Sequence, residues 1–163
     1  VHRLDREASG LLVFAKSETA KHQLQQQFKE HSAGRTYLAI TEGQLNPNQQ
    51  TIESYLAENR MHRCYSTHDR SKGKRAVTHV KVLKRSPHRT LAEVQLETGR
   101  KHQIRVHLAE QGHPIVGDQA YGSLSNPIRR LALHAAKLAF KHPRTGKLLE
   151  FVSPPPALFA SLT

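Results

Sequence analysis

Val1-His2-Arg3-Leu4-Asp5-Arg6-Glu7-Ala8-Ser9-Gly10 runs straight into Leu11-Leu12-Val13-Phe14-Ala15. An acid sits between two arginines, Ser-Gly follows, and five apolar residues come next. Bounded by Gly10 and the polar pair Lys16-Ser17, the apolar run reads as a buried core strand over 11–15. Asp5 then lies on the loop that leads into that strand, and loops held by a rigid scaffold are where chemistry is usually placed. Pairing with Arg3 or Arg6 on the surface is the plainer use of the same aspartate.

At 163 residues the chain is the size of one domain with a single core. Its formal net charge of +12 favours a polyanionic partner, nucleic acid before an anionic surface. Cys64 is the single cysteine, so no intrachain disulfide can form and a reducing compartment such as the cytoplasm is favoured. No apolar run reaches the roughly 18–20 residues that span a bilayer, so a membrane is not expected as a partner.

Outward from the first strand, Ser17 is a candidate N-cap, and Ala20, Leu24 and Phe28 at i, i+4, i+8 predict a helix over 18–31 that ends before Gly34. Arg35 to Thr41 alternates as a strand. Its Tyr37 is either a half-buried sheet aromatic or a ring facing a site. Residues 52–56 read as a short strand or turn, and 60–67 have weak strand character. His68 to Arg75 is a basic loop whose Arg70, Lys72 and Arg75 are either solvated or contacts for phosphate. Segments 76–84 and 90–98 alternate about the turn Ser86-Pro87-His88-Arg89 and predict a hairpin. Gly99 breaks it, and 100–111 predict a helix with Ile104 and Leu108 inward and Gly112 as its stop. A Gly-rich connector leads to a second hairpin, 131–140 with 148–152, and a final helical turn over 157–162. The pattern is α+β: a mixed, mostly antiparallel sheet with flanking helices, one domain over 1–163.

Twelve histidines invite a metal hypothesis, but His102 and His107 are five apart, and Cys64 has no CxxC partner. No metal site is expected. The chain has no G-x-S-x-G, no P-loop and no G-x-G-x-x-G, so acyl transfer and nucleotide hydrolysis lack their usual signatures. Gly99-Arg100-Lys101-His102-Gln103-Ile104-Arg105 packs cations at the predicted helix start, which suits an RNA phosphate or a carboxylate. A lone carboxylate can act as nucleophile or base, and carboxylates attack anomeric carbons in glycoside chemistry.

His2-Arg3-Leu4-Asp5 with Ala8-Ser9-Gly10-Leu11-Leu12 resembles the catalytic motif of the RluA-type pseudouridine synthases. Gly99 to Leu108, then Gly112-His113-Pro114-Ile115-Val116-Gly117-Asp118 and Tyr121-Gly122, resembles the family's second signature. Leu131-Ala132-Leu133-His134-Ala135, His142-Pro143 and Pro154-Pro155-Pro156 follow in the same order. The resemblance implies isomerisation of a uridine in ribosomal or transfer RNA to pseudouridine, with no cofactor and no metal. It implies Asp5 as the catalytic aspartate, Tyr37 as the active-site tyrosine and Arg105 as the basic partner of Asp5. Leu133 corresponds to an aliphatic residue under the base. His2, Arg3, Arg100, His102 and Gln103 are the further substrate-binding candidates, joined by Arg70, Lys72 and Arg75 of the basic loop. The enzyme so implied is a cytoplasmic monomer that acts on RNA.

Ala8 stands where the family usually has Thr. The chain also opens directly on the first motif, without the Lys-Pro-containing strand region that the resemblance places before it. The expectation is therefore an N-terminally truncated catalytic domain, with Asp5 near a chain end, where order is normally poor, and with a sheet edge left bare. The alternative function is a non-catalytic, basic RNA-binding fragment unable to hold Asp5 in place.

Overall fold

The computed structural model describes residues 1–162, and its framework is one eight-stranded sheet. Strands β1 (Ser9–Gly10), β2 (Gly34–Glu42), β3 (Gln49–Glu58), β4 (Cys64–Thr67), β5 (Lys74–Arg85), β6 (Arg89–Leu96), β7 (Leu133–Lys141) and β8 (Leu148–Val152) are joined by two α-helices. These are α1 (Glu18–Lys29) and α2 (Gln103–Glu110). The spatial order is β1-β7-β2-β6-β5-β3-β4, with β8 also on β7. Every pairing is antiparallel except β1 with β7. The mixed, mostly antiparallel sheet expected from the pattern is therefore what forms.

The elements follow from local chemistry. On β6, Thr90, Ala92 and Val94 alternate inward, the period of a strand with one buried face. Helix α1 begins where the Ser17 hydroxyl accepts from the Ala20 N–H at 3.2 Å, with Glu18 in its first turn and Lys29 in its last. Its Leu24 and Phe28 pack with Leu138 and Phe140 of β7.

Three expectations are corrected. Residues 11–15 do not form a sheet strand; pairing stops at Gly10, apart from a Leu11 N–H to Ala135 carbonyl bond of 3.0 Å. From Lys137 onward the same edge of β7 is taken by β8. Leu11, Val13 and Ala15 pack under α1, while Leu12 and Phe14 face outward. Helix α2 starts at Gln103, three residues later than predicted, because His102 has a left-handed backbone (φ 54°). Finally, β3 is a ten-residue strand, built mostly from polar residues that face solvent on one side.

Gly10 shows how closely the first motif is set against the sheet. A Cβ there would lie 2.2 Å from the Ala135 carbonyl oxygen, and φ is +111°. Only glycine lets this backbone lie so close to β7.

Helix α2 buries polar as well as apolar side chains. Gln103 Oε1 accepts from the Thr98 hydroxyl and the Arg100 N–H, and its Nε2 donates to the Val77 carbonyl and the Thr78 hydroxyl. His107 lies 2.8 Å from the Thr78 hydroxyl and 2.9 Å from that of Ser54. Ser66 extends the chain to Glu110. The helix is thus fixed to β3, β4 and β5 by bonds that a shift in register would break.

Burial lowers the His107 pKa to about 4, and burial with the nearby Arg35 charge lowers that of His2 to about 4. The unfolded chain takes up these protons near 6.5, so stability is complete above that pH and is lost as pH falls towards 4. Thermal midpoints measured across this window should fall with acidification, and less steeply for His107→Asn. An equal slope in parent and variant would remove His107 as a source of the effect.

Candidate active site

The segment carrying Asp5 is tied down from its first residue. Val1 packs into the cluster beneath α1. The His2 ring stacks on Phe28 with centroids 4.4 Å apart, and its Nε2 accepts from the Val13 N–H at 3.2 Å. The Ala8 N–H donates to the Asp5 carbonyl at 3.0 Å, closing a turn that leads into β1. Asp5 is therefore held in place, contrary to the poor order expected so near the first residue. Arg3 and Arg6 on either side of it are exposed.

The Asp5 carboxylate is 16% exposed, with Arg105 Nη1 at 3.7 Å from Oδ2 and His102 Nε2 at 4.0 Å from Oδ1. The resemblance implied the Arg105 partnership. It did not point to the residue that aims the arginine. Arg105 Nε and Nη2 grip Asp118 in a fork of two 2.7 Å bonds, and the Asp118 side chain is 1% exposed. Burial acts to lower the Arg105 pKa, but the bonds and charge of Asp118, with Asp5 adding, raise it above the ordinary value. The guanidinium is a fixed cation with Nη1 turned to Asp5.

Tyr121 completes this corner. Its ring lies under the Arg105 guanidinium at 4.8 Å. Its hydroxyl accepts from the Cys64 N–H at 3.2 Å and sits 2.9 Å from His102 Nδ1. With the tyrosine proton donated to Nδ1, the ring presents Nε2–H to Asp5. Burial lowers the His102 pKa, with Arg105 and Lys101 also lowering it against the pull of Asp5. A neutral imidazole follows. The sequence marked Asp118 and Tyr121 only by their place in the Gly-rich connector and in the second motif, and no periodicity relates residue 105 to residue 118.

These groups open on a cavity of about 490 Å³. Tyr37, Leu133, Ile104 and Leu96 give it apolar surface, and Asp5 is the one acid among its lining residues. Tyr37 is buried, and burial raises its pKa, so the phenol is neutral. The β2–β7 register carries a bulge here with Ala136 of β7 as the extra residue, so the alternation of β2 runs unbroken through Tyr37. A basic cavity this size, with one carboxylate held beside Arg105 and with a tyrosine and aliphatic side chains on its wall, suits a planar base attached to a sugar and its phosphates.

Of the sequence candidates, the fold brings Asp5, Tyr37, Arg105, His102 and Leu133 to this corner. His2, Arg3 and Arg100 also line the cavity, and so does Gln103, whose amide is fully engaged within the protein. The basic loop lies apart. Arg75 forks onto Glu53 and also meets Glu97, Lys72 pairs with Asp69 at 3.0 Å, and Arg70 covers the Tyr55 ring. Among the described residues no cluster of three or more potential ligands could hold a metal ion.

A mixed sheet whose edge loop and buried helix meet at such a corner belongs to a known class. The family model described as RNA pseudouridylate synthase matches residues 1–110, and the chain belongs to that family. It is 45% identical to the uncharacterized RNA pseudouridine synthase YhcT of Bacillus subtilis, over 96% of this chain and 52% of that protein. Against ribosomal large subunit pseudouridine synthase D of Neisseria meningitidis serogroup A the identity is 40%, over 96% and 45%. The chain thus spans about half the length of these curated relatives. The solved structure of human RNA Pseudouridylate Synthase Domain Containing 1 superposes with a TM-score of 0.81 at 30% identity, covering 95% of this chain and 68% of that one. The RluA-type resemblance and the fold class are both upheld by these relatives.

Removing one partner of a buried ion pair leaves the other uncompensated, at a cost of about 3–5 kcal/mol. Asp118→Asn should destabilise the protein by that order in urea denaturation. A loss under about 1 kcal/mol would show that the fork does not hold Arg105.

Proposed function

We propose that residues 1–163 form the catalytic domain of an RNA pseudouridine synthase that isomerises a uridine of ribosomal or transfer RNA, without cofactor or metal. The observation that carries this reading is the placement of Asp5 in a base-sized cavity between Arg105 and His102, with Tyr37 and Leu133 on its walls. In the reaction the N1–C1′ bond breaks, the uracil turns, C5 bonds to C1′, and the C5 proton leaves while N1 gains one. Asp5 serves either by attacking C1′ or by taking a sugar proton. In both routes Arg105 compensates its charge without bonding tightly to it, since 3.7 Å leaves the oxygens free for substrate. Tyr37 and Leu133 contact the base, and the Tyr37 oxygen takes the C5 proton as its hydroxyl gives up its own, so that the phenol stays neutral.

A paired uridine is hidden from such a cavity, so it must be flipped out. Arg3, exposed at the cavity wall two residues before Asp5, is the residue to fill the vacated stack. Arg100 and His102 flank the bound nucleotide, while Arg70, Lys72 and Arg75 make outlying backbone contacts. No helix among the described residues is long and apolar enough to cross a membrane. The reading takes the protein as a cytoplasmic monomer with RNA as its partner.

Tritium release from RNA labelled at uridine C5 tests the reaction. The parent should release tritium, and Asp5→Asn should reduce the rate at least about a hundred-fold. Equal rates would remove Asp5 from the chemistry, and a silent parent that still binds RNA would leave a binding module instead. Arg3→Ala should slow modification of a uridine in a duplex far more than one in a single strand; equal effects would reject the stacking role.

A further inference from the structure

Arg35 is the least satisfied charge among the described residues. It stands two residues before Tyr37 on β2 and so projects to the same face of the sheet, into the wall of the same cavity. Its Nε and Nη2 are closed off from solvent and have no hydrogen-bond partner. Its guanidinium covers the Phe28 ring at 5.6 Å, and Phe28 stacks in turn on His2. Gly99, the first residue of the second motif, makes room for it: a Cβ there would lie 2.3 Å from Arg35 Nη1.

Nothing nearby neutralises this group. The cavity is lined by Arg3, Lys29, Arg35, Arg100 and Lys101 with Asp5 as its one acid, and Lys101 is paired outside it with Glu58 at 2.5 Å. Glu97, the acid nearest this wall, is engaged by Arg75 at 3.0 Å. Burial holds the Arg35 pKa below its ordinary value, the opposite of Arg105, which has its carboxylate. A buried guanidinium without an anion is costly. Nη1, the guanidinium nitrogen that is not closed off, is left facing the cavity without an anion, and the anion that an RNA backbone supplies is a phosphate.

We propose that Arg35 is the phosphate-binding residue of the cavity, gripping a phosphodiester that flanks the flipped uridine while Tyr37, two residues on, contacts the base. The proposal rests on the reading that a uridine of RNA enters this cavity. Base and backbone are then located by one strand, and the spacing from Arg35 to Tyr37 sets how far the nucleotide must swing out.

Binding by the full-length protein tests it, apart from turnover, with Asp5→Asn as the background so that no substrate is consumed. The probes are a short RNA with a single central uridine in an adenosine background, and the same RNA with uncharged methylphosphonates flanking that uridine. The uncharged linkages should weaken binding about ten- to one-hundred-fold, and Arg35→Met should weaken binding of the ordinary RNA by a similar factor. The two losses should not add: the variant should bind both RNAs alike. Arg35→Lys, which keeps the charge on a different head group, should fall between. Independent, multiplying losses would overturn the proposal, and so would a variant that binds as the parent does or a parent that does not bind. The thermal midpoint of free Arg35→Met guards against a merely structural role. It should be unchanged or higher, because an unpaired buried charge has been removed. A fall of several degrees would mean that the guanidinium has its partner within the folded protein, and would overturn the proposal as well. Loss of tritium release with the binding pattern intact would strike the catalytic reading alone.

Discussion

The fork between Arg105 and Asp118 is the interaction on which the site depends. A buried ion pair adds little net stability, since desolvation offsets most of its attraction. Its value here is direction. With two of three guanidinium nitrogens engaged by Asp118, the third can face only Asp5. Asp118 is fixed in its turn by the connector, where its N–H donates to the Ile115 carbonyl and its own carbonyl accepts from Tyr121 and Ser123. Tyr121 closes the circuit beneath Arg105 and against His102. Asp5 is thereby located by residues far away in sequence, Arg105 and His102 directly and Asp118 and Tyr121 through them.

That circuit works only because α2 cannot move. An amphipathic helix laid on a sheet can slide by a turn at modest cost when its contacts are apolar. Here Gln103 and His107 put bonded polar groups into the interface, and a slide would leave several buried donors and acceptors unpaired. Gly10 does the same for the first motif, since its backbone lies where any Cβ would strike β7. The candidate catalytic corner is the meeting of two segments, each locked to the sheet by a contact that admits one register.

Much of this was legible in the sequence, and the misses have physical causes. The hairpin of β5 and β6, the Ser17 cap and the second hairpin followed from alternation and capping chemistry. The run Leu11–Ala15 misled because five consecutive apolar residues look buried on both faces, whereas only Leu11, Val13 and Ala15 pack inward. The start of α2 was misplaced because a left-handed backbone at a non-glycine, His102, leaves no pattern. Asp5, Tyr37 and Arg105 were found through motif resemblance. Asp118 and Arg35 were not singled out, because what marks them is the presence or absence of a partner in space. For Arg35 the sequence shows an unremarkable strand cation; only the lack of a partner at its enclosed nitrogens distinguishes it.

The same contrast refines what the charge of +12 means. Net charge suggests a basic protein but not a basic face. The loop that looked most cationic in sequence, Arg70 to Arg75, is largely neutralised by Asp69, Glu53 and Glu97. Arg3, Lys29, Arg35 and Arg100 gather instead around Asp5, the one acid of the cavity. That arrangement has a physical logic. A polyanion drawn by cations on the outer surface would bind in many registers with similar energy. Arg35, closed off at two nitrogens and without an anion, is costly in the free protein, and on the proposed reading that cost is offset only when a nucleotide that has left the stack brings its phosphate into the cavity.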